Sequence, residues 1–356
     1  MRKMQDFVLK SKKIFVGLED SKRTWKICVR SEGQEVAYTS MPTEYSGLLA
    51  YFRKRFPECA IQCIYEAGFK GFGLHDRLVA DGIECVVTPP HLVTEAKVNK
   101  VKTDKRDARR LAKILETDDY SSCHVPDPER REDRQISRTL IGIQTDIVAV
   151  KNRIKMLLYF HGIRVAFADK KTWTPKHFRL LRNQVSAGEH IRLSLRIWVD
   201  QLESLWRARE TLRQQLRKLT EKERYKKTYQ IIQSLPGIGW FTAIRLVLEW
   251  GEDLSRFGSG KQIASFIGLT ATEDSTGETE QRGGITHLGS GFVRSWLIES
   301  AWTGIRKDPV LLDKFNRVWR ACGKKKVAIV AVARMLAVRL RACVLSGKPY
   351  IAGVIE

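Results

Sequence analysis

The sequence predicts an α/β domain at its N-terminal end followed by an all-α remainder. Two observations carry this: short β-rich runs confined to the first third of the chain, and long apolar repeats of helical period beyond it. Ile14–Leu18, Trp25–Val29 and Glu35–Thr39 read as three strands in succession, with a turn at Asp20–Arg23 between the first two. Thr43 can cap a helix that puts Leu48, Leu49 and Phe52 on one face. Ile61–Tyr65 is a buried-strand pattern, Phe72–Ala80 a helix, and Cys85–Thr88 a strand halted by Pro89 and Pro90. A last helix runs from Thr103 to Leu115. A three-strand meander followed by alternating helix and strand matches an RNase H-like layered sheet. This domain is assigned residues 1–128.

Residues 129–227 form a basic helical segment. Ile136, Leu140, Ile143, Ile147, Val150, Ile154 and Leu157 alternate by four and three. Ile191, Leu195, Trp198, Leu202, Leu205, Leu212, Leu216 and Leu219 do the same, with Arg209 in the one missing slot. Such a repeat predicts a coiled-coil seam, either within one chain or between subunits. Residues 228–356 form the third part. Helices flank Pro236-Gly237-Ile238-Gly239, another covers Lys261–Ile267, a polar glycine-rich loop spans Thr270–Gly291, and three helices follow it. The Leu235–Gly239 run reads as a helix–hairpin–helix turn, in which Gly237 and Gly239 let backbone N–H groups approach a phosphate. An ordinary helix connection accounts for it equally well.

The chain of 356 residues carries 63 Lys and Arg against 40 Asp and Glu, a formal charge of +23. More than half of this excess lies in the middle segment. So basic a chain calls for a polyanionic partner, and nucleic acid is the leading one. No apolar run is long enough to span a bilayer, and Met1–Lys13 lacks the apolar core of a signal peptide. No membrane role and a cytoplasmic location are therefore expected. The seven cysteines contain no CxxC pair, so neither a zinc site nor a disulfide framework is indicated.

Four carboxylates are placed to converge. Glu19 ends the first strand, Glu66 ends the fourth, and Asp104 and Asp107 share one face at the start of the last helix. In an RNase H-like sheet the first and fourth strands are neighbours. Clustered carboxylates repel unless they bind cations, and hard oxygen ligands suit Mg2+. Singly, each is an ordinary surface charge. Lys102, Lys105 and Arg106 beside the aspartates are candidates to hold phosphates, as are Arg282 and Arg294 further on. Ser275 sits in Glu273-Asp274-Ser275-Thr276-Gly277, where nothing but its loop setting distinguishes it.

Several short motifs then occur in order. They are Val16-Gly17-Leu18-Glu19-Asp20-Ser21-Lys22, Tyr65-Glu66-Ala67-Gly68, Lys102–Ala108, Leu235–Gly239, Phe266–Thr270, Ser275-Thr276-Gly277 and Arg282–Thr286. Together they resemble the DEDD transposases of bacterial insertion sequences, the one-hundred-ten family, also called bridge recombinases. The resemblance covers nearly the whole chain; each motif is weak alone and the ordered set is specific. It implies a Holliday-junction-resolvase-like N-terminal domain with Mg2+ on four acidic residues, here Glu19, Glu66, Asp104 and Asp107. It implies a C-terminal transposase domain whose serine, here Ser275, attacks DNA and holds it as a phosphoserine. It further implies a coiled-coil connection, a homo-oligomer (dimer or tetramer) with composite sites, and a structured noncoding RNA of the bridge type that pairs with donor and target DNA. The family usually has Asp where Glu19 stands, so Asp20 is the alternative first ligand. The rival functions are a metal-dependent, structure-specific nuclease without serine chemistry and a non-enzymatic nucleic-acid packaging protein.

Overall fold

The computed structural model describes residues 12–90, 104–168, 173–183, 188–276, 279–286 and 288–353. They divide into two compact units, Met1–Pro126 and Asp127–Glu356.

The first unit is a five-stranded sheet with helices on both faces. Strands β1 (Lys13–Asp20), β2 (Thr24–Ser31) and β3 (Gln34–Pro42) form the antiparallel meander. Helix α1 (Tyr45–Arg55), β4 (Ala60–Glu66), α2 (Gly73–Ala80), β5 (Glu84–Thr88) and α3 (Asp104–Glu116) follow. The spatial order is β3-β2-β1-β4-β5, with β4 parallel to both β1 and β5. This is the order expected of an RNase H-like sheet. Helix α1 begins one residue later than Thr43 suggests: Glu44 is its N-cap and makes no side-chain capping bond.

Alternation along each strand sorts the side chains by face. Ile14, Val16, Leu18, Ile27, Val29, Cys63 and Tyr65 point to α1 and α2, where Leu48, Phe52, Phe56 and Leu78 complete the larger core. Phe15 and Ile64 point the other way, against Leu111 and Leu115 of α3. The close fit of α3 depends on Gly17. A Cβ there would collide with the carbonyl of Ala108 and the backbone N of Ala112. The small Ala108 and Ala112 also pack on Cys28 of β2. Ion pairs hold the helix along its length: Arg30 with Glu116 at 2.6 Å, and Arg109 with Glu35 through two bonds of 2.7 Å.

The second unit is mostly helical. Helices α4 (Pro128–Phe160), α5 (Pro175–Arg182), α6 (Glu189–Leu219), α7 (Glu223–Gln233), α8 (Trp240–Trp250) and α9 (Gly260–Ile267) lead to a hairpin, β6 (Ala271–Thr276) and β7 (Thr279–Ile285). Helices α10 (Gly291–Gly304), α11 (Pro309–Cys322) and α12 (Lys325–Ser346) end it. The long helices α4 and α6 pack in opposite senses. Leu140, early in α4, shares a core with Leu216, late in α6, whereas Val150, Ile154 and Leu158 meet Leu195, Val199 and Leu202. Much of the predicted apolar repeat therefore packs within one chain, with Leu158 and Val199 buried more deeply than the expected Leu157 and Trp198. Helix α8 is apolar nearly all round and lies at the centre of the other core with α12. The stretch expected to be a loop at 270–291 contains the β6–β7 hairpin instead. Its threonines favour a strand, but its charges and glycines mask the period.

An ion-pair clasp fixes the start of α4. Asp127 caps the helix by accepting from the Arg130 N–H and is paired with Arg224 of α7, which also bonds Glu129 and Glu252. The Arg224 hydrogen bonds hold the Asp127 carboxyl well below the usual carboxylate range.

Two predictions follow from these contacts. Gly17→Ala should lower the stability of the N-terminal unit by about 3 kcal/mol, because neither backbone atom can yield; an unchanged urea midpoint would refute the close-approach argument. A lowered folded-state pKa contributes stability above the ordinary carboxylate value and loses it as pH falls through the folded one. The melting-temperature gap between wild type and Arg224→Met should thus be open at neutral pH and narrow below about pH 4.

Candidate active site

Gly17 sets the geometry of the acidic site. With α3 seated over it, the residues of β1 on the α3 face are Phe15, Gly17 and Glu19. On β4 the same face carries Gln62, Ile64 and Glu66. Leu18 pairs with Tyr65 in the parallel ladder, so Glu19 and Glu66 are the next residues of adjacent strands. Asp107, only 8% exposed, comes down from α3 onto this end of the sheet. Arg110, one turn further along α3, is 3.3 Å from Glu66 and 3.5 Å from Asp107 and neutralises both.

Asp20 faces the other way. Its carboxylate accepts from Trp25 Nε1 at 2.5 Å and from Lys70 Nζ at 2.6 Å. Lys70 also donates to the Ser21 carbonyl. Asp20 is a neutralised group on the α1–α2 side of the sheet. Across the antiparallel ladder Glu19 pairs instead with Lys26, whose ammonium donates to Ser40.

Two buried polar atoms near the carboxylates have no hydrogen-bond partner among the described residues: Thr88 Oγ1 and Arg110 Nε. Thr88 is the β5 register partner of Glu66, and alternation puts it on the α3 face. Thr88 escapes a reading of sequence because a threonine ending a strand is ordinary. Only register places it beside Glu66.

The other candidates separate. Asp104 is the first residue of α3, but its side chain and the whole of Lys102 lie outside the described residues. Lys105 and Arg106 are exposed, and Lys105 lies with Arg109 over the ring of Tyr38, towards β3. Among the described residues no group of three or more His, Cys, Asp or Glu side chains is close enough to hold a metal ion. The structure thus joins Glu66 with Asp107 and sets Glu19 on the same face of the neighbouring strand.

In the second unit, Ser275 belongs to β6 and pairs with Glu280, while Arg282 of β7 pairs with Glu273. Their side chains lie outside the described residues. Arg294 of α10 donates to the carbonyls of Ile267 and Leu288, closing the end of α9. Gly237, at φ +85°, lies against α10, where a Cβ would strike the Ser300 carbonyl. Gly239, the N-cap of α8, is exposed and meets nothing.

Comparison with known proteins agrees with this architecture. Residues 16–162 match a transposase family model of the DEDD IS110 type, and residues 229–316 match one described as the transposase IS116/IS110/IS902 family. A putative transposase of Sinorhizobium fredii, y4rJ, is 30% identical over 370 residues, covering 92% of this chain and 90% of the relative. The chain belongs to the IS110 family of insertion-sequence transposases. A second putative transposase of the same organism, y4qE, is 28% identical to it over 91% of the chain and 82% of its own length. The transposase for insertion sequence element IS1533 of Leptospira borgpetersenii is 24% identical over 72% of the chain and 74% of its own length. This protein is accordingly a DNA transposase. Among its described residues no helix is long and apolar enough to cross a membrane.

The opposite facing of Glu19 and Asp20 has a measurable consequence. Glu19→Gln should reduce strand cleavage by about a hundredfold or more, as loss of a group acting on the reacting phosphate does, whereas Asp20→Asn should retain most activity and lose thermal stability. The reverse pattern in a cleavage assay would make Asp20 the functional carboxylate.

Proposed function

We propose that this transposase cuts and rejoins DNA through a phosphoserine on Ser275, with a divalent metal, Mg2+, held by Glu19, Glu66, Asp104 and Asp107. The observation that carries the metal half is the common facing of Glu19, Glu66 and Asp107 at one end of the sheet. The donor chemistry fits, because carboxylate oxygens are the ligands such an ion takes; among the described residues the acids are not drawn into one cluster, and Arg110 holds Glu66 and Asp107 in the place of a metal cation. The Thr88 hydroxyl and Arg110 Nε, next to these acids and without a partner among the described residues, suit a site that receives a further polar group. The DEDD match supports the same reading. Held by these carboxylates, such an ion would supply polarisation of the scissile phosphate and screening of its charge. The serine half is supported by the family resemblance of Ser275-Thr276-Gly277.

The chain's own residues then do the following. Lys102, Lys105 and Arg106 hold the DNA backbone near the acids. Ser275 Oγ attacks phosphorus; the new O–P bond forms as the bond to the sugar oxygen breaks, and that oxygen leaves as a hydroxyl with a proton. The ester is conserved, so the hydroxyl of a second strand displaces Ser275 by the same chemistry in reverse and no ATP is consumed. Helices α4 and α6 act as the coiled coil, and a homo-oligomer, a dimer or tetramer, assembles the complete enzyme. The large, diffuse positive charge suits backbone grip on DNA and on a structured noncoding RNA, with base pairing supplying sequence.

Suicide DNA substrates test both halves in one assay. Wild-type protein with its RNA and Mg2+ should give a covalent protein–DNA adduct and rejoined strands; Ser275→Ala should give neither. Adducts from Ser275→Ala would remove the serine from the mechanism, and free ends without rejoining would identify a nuclease. Correct-site recombination by RNA-free protein would defeat the guiding role of RNA.

A further inference from the structure

Helices α4, α8 and α10 border an open cavity of about 560 Å3 on the surface of the second unit. Its lining includes Gln144 and Asn152 of α4, Arg245 of α8, and Phe292, Ser295 and Trp296 of α10. Arg245 is the unusual member. It is only 4% exposed, yet it reaches the cavity. Its Nε donates to the buried Ser137 hydroxyl at 3.2 Å, and its guanidinium lies 3.7 Å from the ring centre of Trp296 and 4.8 Å from that of Phe241.

Among the described residues no carboxylate pairs with this cation. The nearest influence is Glu249, whose oxygens already bond Arg134 and Arg138. None of the cavity's lining residues is acidic. Burial pulls the Arg245 pKa down to about 10, so the group remains charged at neutral pH. Aromatic faces and one hydroxyl stabilise the cation in part, but a buried charge lacking a counter-ion is costly, and an anion entering the cavity supplies one.

The rest of the lining narrows the choice of anion. Ser295, in the second turn of α10, adds a hydroxyl donor to the lining. Phe292 is 54% exposed and offers a stacking face beside Trp296. Gln144 and Asn152 each carry both a donor and an acceptor suited to a base edge. The cavity is open to solvent, so a nucleotide can lie in it while its strand continues on either side.

We propose that this cavity binds a single unstacked nucleotide of a nucleic-acid strand, with its phosphate on the Arg245 guanidinium and its base against Phe292 and Trp296. The inference rests on the reading that the protein handles nucleic acid, and it adds a site for unpaired strand distinct from grip on a duplex.

The test compares full-length wild type, Arg245→Met and Thr145→Trp, the last a filling substitution at an exposed residue of the cavity rim. The probes are an oligothymidylate of about twelve nucleotides, which spans a typical single-strand site, and a duplex of equal length at the same salt. Both variants should lose about tenfold or more in affinity for the single strand while holding duplex affinity within about twofold. Should Arg245→Met fail to fold, Thr145→Trp decides alone. Single-strand affinity unchanged in the folded variants, or equal losses on both probes, overturns the proposal and leaves the wider function standing. A wild-type protein that binds neither probe overturns both.

Discussion

The N-terminal unit depends on how closely α3 can lie on β1. An α-helix and a sheet normally keep a side chain's width between them. Here Gly17 contributes no side chain, and Ala108 and Ala112 contribute very little. Once the helix is that close, its first turns lie over the strand ends where the chain places Glu19 and Glu66. Aliphatic packing through Leu111 and Leu115 sets the depth, and Arg30–Glu116 with Arg109–Glu35 fix the position along the axis. The acidic end of the sheet is therefore a consequence of apolar packing several residues away from it.

Much of this unit was legible in the sequence because strand period and burial agree. The meander and the alternating helix and strand follow from apolar periodicity, and the neighbouring first and fourth strands from the RNase H-like order those elements match. The choice between Glu19 and Asp20 was not legible, because two consecutive acids at a strand end have no pattern of their own. Register and the Lys70–Asp20 ion pair separate them, and Lys70 is fifty residues away in the chain. The β6–β7 hairpin was hidden for a related reason: a short polar strand has no buried face to give it a period. Ser275 was reached only through resemblance to a family. Arg245 was missed because an arginine in an apolar helix reads as an exposed interruption of the stripe, when in fact Ser137 and two aromatic rings enclose it.

The second unit solves a different physical problem. Long basic helices repel one another unless an apolar seam or opposite charges hold them. The α4–α6 pair uses the seam. The junction of α4 with α7 uses the clasp in which Arg224 meets Asp127, Glu129 and Glu252, and Lys222 meets Glu129 and Asp133. Asp127, Glu129, Asp133 and Glu252 are thereby engaged internally, and the basic excess of these helices is left for a polyanion. The positive charge available to nucleic acid is thus a residue of how the helices were fastened together.

The alternation of β1 limits how this lineage can vary. Gly17 and Glu19 must lie on the same side of the sheet, two positions apart, while Leu18 between them fills the opposite core. Adding or deleting one codon within 17–19 would turn the carboxylate towards Leu48 and Phe52 and bring a leucine under α3. The turn at 21–23, outside both strands and exposed at Lys22 and Arg23, carries no such parity. A length change there leaves the facing of β1 intact, whereas along β1 only substitutions keep the residue at position 19 on the α3 face.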